Sequence, residues 1–561
     1  MTESPGLDRF SDEPASDLGN SLSLAAIAEQ ATPDSSTIAS DNQQFRSEVG
    51  HISKHSGVLF LGTLFTVVTG YGFKVYLARV LGAEALGIYA LGITLVGFVG
   101  VFNSLGLVEA AVRFAAIYRA SQKPQQLRAL LWRGGAILLA VNVLLAAIFL
   151  KGGGLVARRF YHSPTLARYI PWFAALLLLG AFSTFYGRIL AGYKAVGRRT
   201  LVTNFIASPA TMLLALLLIT MGWGLPGYLL AQVLGGVLVI ALLLILVWQL
   251  TPPEARSLSP WPTRLEPEVW SFSTAALGIL LLEFLMGQVD KISLGFYMGA
   301  RSVGIYAVAA AMVAYVSVVL NSVNQVFSPI IAGLHAKGDM AMLGRLYKGL
   351  TKWVLGLTLP LAITVMVCAR PLMRIFGHEF EAGWPILIVG TAGQLVNCGV
   401  GSVSLLLLMS GNQRRLLRVQ VAMAAFMVIA CFALIPIWGI MGAAVAAAIT
   451  NAGTNFWNLL GVRKKLGFSP FSPGFARLLA PSVASIVVAL LIRREANLLG
   501  HDWLLIGISL LAAYGVFAAI VALTGLDADD RMIVNAILSR IWRSNSTGSN
   551  STSSNSKGLS L

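Results

Sequence analysis

Apolar residues run along this chain in stretches of about 20 or more, separated by short basic or polar segments. A stretch of that length crosses about 30 Å of hydrocarbon as an α-helix. Inside lipid every backbone amide must be satisfied within the chain, so only helices or closed barrels qualify. Barrel strands alternate apolar and polar over about 10 residues, whereas these runs are uniformly apolar. The pattern predicts an all-α polytopic membrane protein with about 14 spans. They are drawn at 56–78, 86–110, 129–150, 169–191, 201–221, 225–249, 270–293, 303–329, 350–371, 383–409, 416–436, 439–460, 478–493 and 503–524. Pro209 and Pro360 are the prolines placed deepest in these runs, and both are expected to kink their helices.

Three local matches recur at nearly one offset. LGAEALGIYAL at 81–91 matches MGARSVGIYAV at 298–308; Ala191-Gly192 matches Ser410-Gly411; GLPG at 224–227 matches GIMG at 439–442. The offset carries an even number of spans, so the two copies have the same orientation and are parallel repeats. The predicted organisation is a disordered cytoplasmic tail (1–54), a six-helix bundle (55–250), a cytoplasmic linker (251–268), a second six-helix bundle (269–465), two appended spans (466–525) and a cytoplasmic C-terminal tail (526–561). From about 544 that tail is the low-complexity run SNSTGSNSTSSNSKGLSL.

Composition agrees with this reading. Charged residues make up 12% and the mean hydropathy is +0.75. The net charge of +17 would suggest a nucleic-acid partner in a soluble chain. Here the basic residues cluster in loops, 29 on one side of the predicted topology and 10 on the other. The positive-inside rule then puts both termini in the cytoplasm and the protein in the cytoplasmic membrane. Cys368, Cys398 and Cys431 lie in apolar runs and read as small core residues.

No phosphate-binding loop and no metal-spaced histidine cluster is present, so no cofactor and no direct use of ATP are expected. The longest outer loop, about 151–168, is basic and lacks Asp and Glu, which argues against an enzyme that needs acidic groups there.

The informative residues are ionisable side chains inside spans, because they are costly in hydrocarbon and tend to face a cavity or a partner. Lys74, Arg113 and Arg188 are candidate ligands for an anionic substrate. Lys74 equally suits an interfacial anchor, and Arg113 suits an inner-face anchor paired with Glu109 four residues earlier. Glu283, Asp290 and Lys291 are candidate coupling or cavity residues. Asp290 and Lys291 also suit an ion pair near the outer end of their span, and Glu283 stands deeper, seven residues earlier on nearly the same helix face.

LARVLGAEALGIYALGITLVGFVGVFNSLGLVEAAVRF at 77–114, GRILAGYKAVGRR at 187–199 and QVDKISLGFYMGARSVGIYAVAA at 288–310 resemble the polysaccharide biosynthesis protein family, the oligosaccharide-lipid flippases of the multidrug/oligosaccharidyl-lipid/polysaccharide exporter superfamily. The resemblance covers roughly 55–525. It implies a MATE-like pair of six-helix bundles around a central cavity, alternating access, and a polyprenyl-pyrophosphate-linked oligosaccharide as substrate, in lipopolysaccharide or other surface polysaccharide biosynthesis. A polysaccharide polymerase and glycosyltransferases are the implied partners. It also implies a recurring acid–base pair at the position of Asp290-Lys291. The competing readings are a multidrug or small-molecule exporter of the same superfamily and a non-transporting scaffold of a polysaccharide assembly system. A flippase should line its cavity with net positive charge, a cation exporter with acidic groups, and a scaffold with none.

Overall fold

The apolar runs are helical in the computed structural model, which describes residues 35–103, 105–256, 267–471, 473–495 and 501–524. The chain divides into two units, Met1–Val67 and Val68–Leu561. In the first, the backbone of 35–67 is helical, including residues assigned above to the tail. Residues 1–34, most of the linker and the C-terminal tail lie outside the described residues.

Ten stretches among the described residues are long and apolar enough to cross a membrane. Three of them are interrupted by glycines with non-helical backbone: Thr69–Asn103 at Gly82, Val196–Leu250 at Gly222 and Gly224, and Leu280–Val316 at Gly299. The helices are therefore α1 (69–81), α2 (83–103), α3 (Leu107–Ala120), α4 (Pro124–Arg159), α5 (Pro164–Gly192), α6 (196–223) and α7 (Gly224–Leu250). The next seven are α8 (267–298), α9 (300–316), α10 (Val318–Ala336), α11 (Met340–Val367), α12 (Trp384–Val400), α13 (Gln413–Trp438) and α14 (Ile440–Leu466). Last come α15 (Leu479–Arg494) and α16 (Asp502–Thr524).

The joints between these helices repeat. Gly82 (φ 78°, ψ 174°) and Gly299 (φ 78°, ψ 180°) share a conformation that effectively only glycine adopts. Gly224 (φ 53°, ψ −134°) and Gly439 (φ 57°, ψ −133°) share another. Gln122 pairs with Gly338, His162 with Gly377 and Lys194 with Gly411, all at positive φ. Each pair is 215 to 217 residues apart. Lys194 rather than Gly192 is thus the counterpart of Gly411, a two-residue change in the register read from sequence.

Several boundaries differ from expectation. The run drawn as 86–110 breaks after Asn103, because Leu105 (φ 44°) and Gly106 (φ 74°) turn the chain before α3. The Asn103 carbonyl freed there accepts a hydrogen bond from Asn142 Nδ2 at 2.9 Å. The counterpart run, 303–329, breaks at Ser317, and 383–409 breaks at Gly401 before a short helix, Val403–Met409. Pro209 follows a π-helical turn, Leu201–Ala207, which widens the helix ahead of the ring. Pro360 stays inside the continuous α11.

The buried side chains show how the repeats are joined. One large core draws on both: Leu77, Leu91, Phe173 and Leu229 from the first, Leu294, Tyr306, Phe376 and Leu387 from the second. It lies toward the end that carries Gly82 and Gly299. Toward the opposite end the cores separate. One is built from the first repeat (Phe114, Leu130, Phe185, Ile189) together with Val269 of α8, where a Cβ on Gly106 would stand 1.9 Å from the Ser273 carbonyl oxygen, and the other only from the second (Phe327, Tyr347, Leu406, Leu459).

The joint rests on a backbone crossing of α2 and α9. A Cβ on Gly87 would stand 1.7 Å from the Ala300 carbonyl oxygen, and one on Gly304 would stand 2.0 Å from the Ala83 carbonyl oxygen. These four residues are two repeat pairs, so the contact is self-complementary. Gly87→Val is expected to destabilise the protein by about 1–3 kcal/mol or more through overpacking, read as a lower melting temperature in detergent. Gly72→Val should leave it unchanged, since no heavy atom lies within 4 Å of a Cβ there.

Candidate functional site

Next to this crossing, α1, α2, α8 and α9 enclose a cavity of about 330 Å³. Residues on both sides of Gly82 (Lys74 and Thr94) and of Gly299 (Lys291 and Tyr315) line it, so the chain reverses at each glycine. Its charged lining residues are Lys74 and Lys291, and among the described residues no carboxylate lines it. The two lysines stand 217 residues apart, the spacing of the flanking glycines, and so are repeat counterparts. That spacing was present in the sequence and identifies them as a pair. Lys291 Nζ donates to Gln288 Oε1 at 2.8 Å, and Thr94 Oγ1 donates to the same oxygen at 3.4 Å. Lys74 is exposed and has no hydrogen bond or ion pair among the described residues.

Asp290 does not join Lys291 in an ion pair. Consecutive helical residues point in different directions, and Asp290 is turned inward and only 8% exposed. Its Oδ2 accepts a hydrogen bond from the Tyr306 hydroxyl at 2.7 Å. The bond clasps α8 to α9 across Gly299. The first-repeat counterparts of Asp290 and Tyr306 are Phe73 and Tyr89, which make the equivalent bridge by both packing on Tyr228, with ring centroids 6.4 and 5.0 Å away.

Glu283 lines a different cavity, of about 480 Å³, toward the opposite end. Glu109 and Arg188 line it too and pair at 2.8 Å. Glu109 therefore reaches across to α5 instead of pairing with Arg113 along its own helix. Arg113 is exposed, lies over the Phe114 ring and is not among the residues lining these cavities. The two cavities are partitioned where α2 meets α8. Phe284 packs on Phe98 with centroids 5.7 Å apart and would lie 3.1 Å from a Cβ on Gly97; one turn away stand Thr94 and Gln288. The six candidates thus fall into four places: Lys74 and Lys291 together, Arg188 and Glu283 together, and Asp290 and Arg113 each apart.

Two polar features escaped sequence reasoning. At the Gly82/Gly299 end Glu379 bonds to both repeats. Its Oε2 accepts the Ala83 amide at 3.0 Å, at the N-terminus of α2 where a carboxylate is favoured, and its Oε1 pairs with Arg301 at 3.2 Å. Arg79 adds a 2.7 Å bond to the Ile375 carbonyl. In the second repeat, Asn451, Asn455 and Asn458 form a polar seam on α14, with bonds to the Gly393 carbonyl and Ser404 Oγ. α14 accordingly is not among the ten strongly apolar stretches. Among the described residues no group of His, Cys, Asp or Glu could hold a metal ion.

The Glu379 bonds tie the two repeats together at the Gly82/Gly299 end. The three native cysteines are buried, so a cysteine introduced at Thr94 reports selectively on access to the cavity. Glu379→Ala is expected to raise its labelling by a membrane-impermeant thiol reagent several-fold from that side. Unchanged labelling would show that the bonds do not govern access.

The comparisons agree with this geometry. The polysaccharide biosynthesis protein family matches residues 52–335. No curated protein sequence matches the chain. Among solved structures, the lipid II flippase MurJ in an inward closed conformation superposes with a TM-score of 0.66 at 14% identity, covering 82% of this chain and 97% of that one. An inward-facing multidrug resistance MATE family transporter of the MOP superfamily gives 0.60 at 14% identity, covering 71% and 94%. These likenesses show the fold, that of a multi-pass helical membrane protein of the MurJ and MATE kind. The match to the family model spans half the chain and includes the first repeat, the α8–α9 hairpin and both lysines. This protein belongs to the polysaccharide biosynthesis protein family, a family of membrane transporters and not of enzymes.

Proposed function

We propose that the protein is a flippase that carries a polyprenyl-pyrophosphate-linked oligosaccharide across the cytoplasmic membrane for surface polysaccharide biosynthesis, by alternating access. The observation that carries this reading is the cavity between the repeats, lined by two repeat-related lysines and, among the described residues, no carboxylate. Cationic charge facing a cavity without an acidic lining residue suits a pyrophosphate and is the wrong sign for a cation exporter. It is also unlike the uncharged interior expected of a scaffold. The family match and the fold shared with a lipid II flippase point the same way.

In this reading the chain spans the membrane fourteen times. Two six-helix bundles in the same orientation are followed by α15 and α16, with α3 and α10 as continuations of α2 and α9. Both termini are cytoplasmic, so the Gly82/Gly299 end faces outward and the Arg188 cavity faces the cytoplasm. The head group meets Arg188 first, and the phosphates then settle between Lys74 and Lys291. Glu283 is the candidate for cation coupling, and Asp290 fixes the α8–α9 hairpin. The lipid tail stays in the bilayer throughout.

Each charge-assisted hydrogen bond contributes about 1.5–3 kcal/mol. Replacing both Lys74 and Lys291 with Ala is therefore expected to slow translocation of a labelled polyprenyl-pyrophosphate oligosaccharide in vesicles by roughly two orders of magnitude at limiting substrate. Arginine at both positions should retain most of the rate. Undiminished transport by the alanine double variant overturns the assignment. Transport by the native protein that ignores an imposed proton or sodium gradient removes the role given to Glu283.

A further inference from the structure

A third cavity, of about 460 Å³, lies inside the first repeat between α1, α5, α6 and α7. It meets the central cavity at Lys74, Leu77 and Tyr228, which line both. It meets the Arg188 cavity at Leu176 and Gly180, which also line both. It is thus a way around the Phe98–Phe284 partition.

Its polar lining is of one kind. Ser183, Thr203, Ser208, Thr211 and Gln232 present hydroxyls and an amide, and Lys74 at the junction is the one charged residue in the lining. Thr203 and Thr211 donate their protons to the carbonyls of Arg199 (3.0 Å) and Ala207 (2.8 Å), which leaves oxygen lone pairs as acceptors. Gln232 lies beside the Tyr228 hydroxyl. Ser183 and Ser208 are partly exposed and have no hydrogen-bond partner among the described residues. The corresponding side of the second repeat is filled. Asp290, Tyr306, Met427, Cys431 and Thr450 are all buried there; Thr450 Oγ1 donates to the Ala446 carbonyl at 2.7 Å and lies 3.3 Å from Met427 Sδ. Of two repeated halves, one is therefore hollow and hydroxyl-lined at this level and the other is packed.

Neutral donors and acceptors around a space of this size, with an aromatic face at one edge, suit a small polyhydroxylated ring and not a second anion. We propose that this pocket is a saccharide subsite that takes the sugar nearest the pyrophosphate, while Lys74 at its mouth holds the adjoining phosphate. The proposal rests on the reading of the central cavity given above. It makes the first repeat the half that selects the glycan.

The test is binding to the purified full chain in lipid nanodiscs, with two probes: polyprenyl diphosphate, and polyprenyl diphosphate bearing one hexose. The sugar-bearing probe is expected to bind roughly tenfold more tightly, as one or two net hydrogen bonds provide. Gly70→Leu fills the pocket, since the nearest atom to a Cβ there is Met212 Cε at 3.9 Å. It should abolish that difference and leave the bare probe's affinity intact, and Gln232→Ala should reduce the difference without filling space. Gly72→Leu, with open space around its Cβ, should change neither. Equal affinities of the native protein for the two probes, with lysine dependence retained, overturn the saccharide subsite alone. Loss of bare-probe binding in Gly70→Leu also overturns it, because the pocket would then take lipid. Affinities that do not depend on Lys74 and Lys291 overturn the reading of the central cavity.

Discussion

The structure depends on two helices meeting backbone to backbone. α2 and α9 cross where Gly87 and Gly304 leave no room for a side chain, each glycine lying against the carbonyl that begins the other's helix. Because the four residues involved are repeat counterparts, the crossing lies on the pseudo-twofold relation between the halves. It sits in the large core shared by both halves; at the other end the first half's core takes in Val269 of α8, and the second half has a core of its own. The halves also touch at the other end, where Gly106 lies against the Ser273 carbonyl, and the lysine-lined cavity lies beside the α2–α9 crossing. Where interhelical contact has no hydrophobic drive, such small-residue packing is the main way to hold two helices together.

The repeat also explains where charge is placed. Lys74 and Lys291 occupy equivalent positions and converge, but their neighbours have diverged. Lys291 is tethered to Gln288, while the first-half counterpart of Gln288 is Tyr71 and Lys74 has no hydrogen-bond partner among the described residues. Asp290 locks one hairpin through Tyr306, while Phe73 and Tyr89 secure the other on Tyr228. One half is rigidly packed around its lysine and the other is hollow around its own. This division suits a carrier in which one side anchors phosphate and the other adapts to what is attached to it.

Much of this was legible in the sequence, and the illegible parts share a cause. Helix positions followed from apolar run length. The repeat was visible in GIYA and in the GLPG and GIMG joints, because those residues satisfy local backbone demands. The lysine pair was legible through the same offset. What failed were partner assignments. Glu109 and Arg113 have helical spacing for an ion pair, yet Glu109 takes Arg188 from another helix. Asp290 and Lys291 are adjacent in sequence and diverge in space. Glu379 sits in a loop whose sequence does not reveal that it caps a helix nearly 300 residues earlier. Local geometry is written in short patterns, whereas side-chain partnership is decided by which helices the fold brings together.

The central claim is that the two lysines jointly hold the phosphates of a lipid-linked head group between the halves. The most direct measurement is a cryo-EM structure of the protein in nanodiscs with a polyprenyl-pyrophosphate sugar bound. Density for the pyrophosphate is expected within hydrogen-bonding distance of both Lys74 and Lys291. Phosphate density held only at Arg188, or on the lipid-facing surface with the lysine cavity empty, would contradict it.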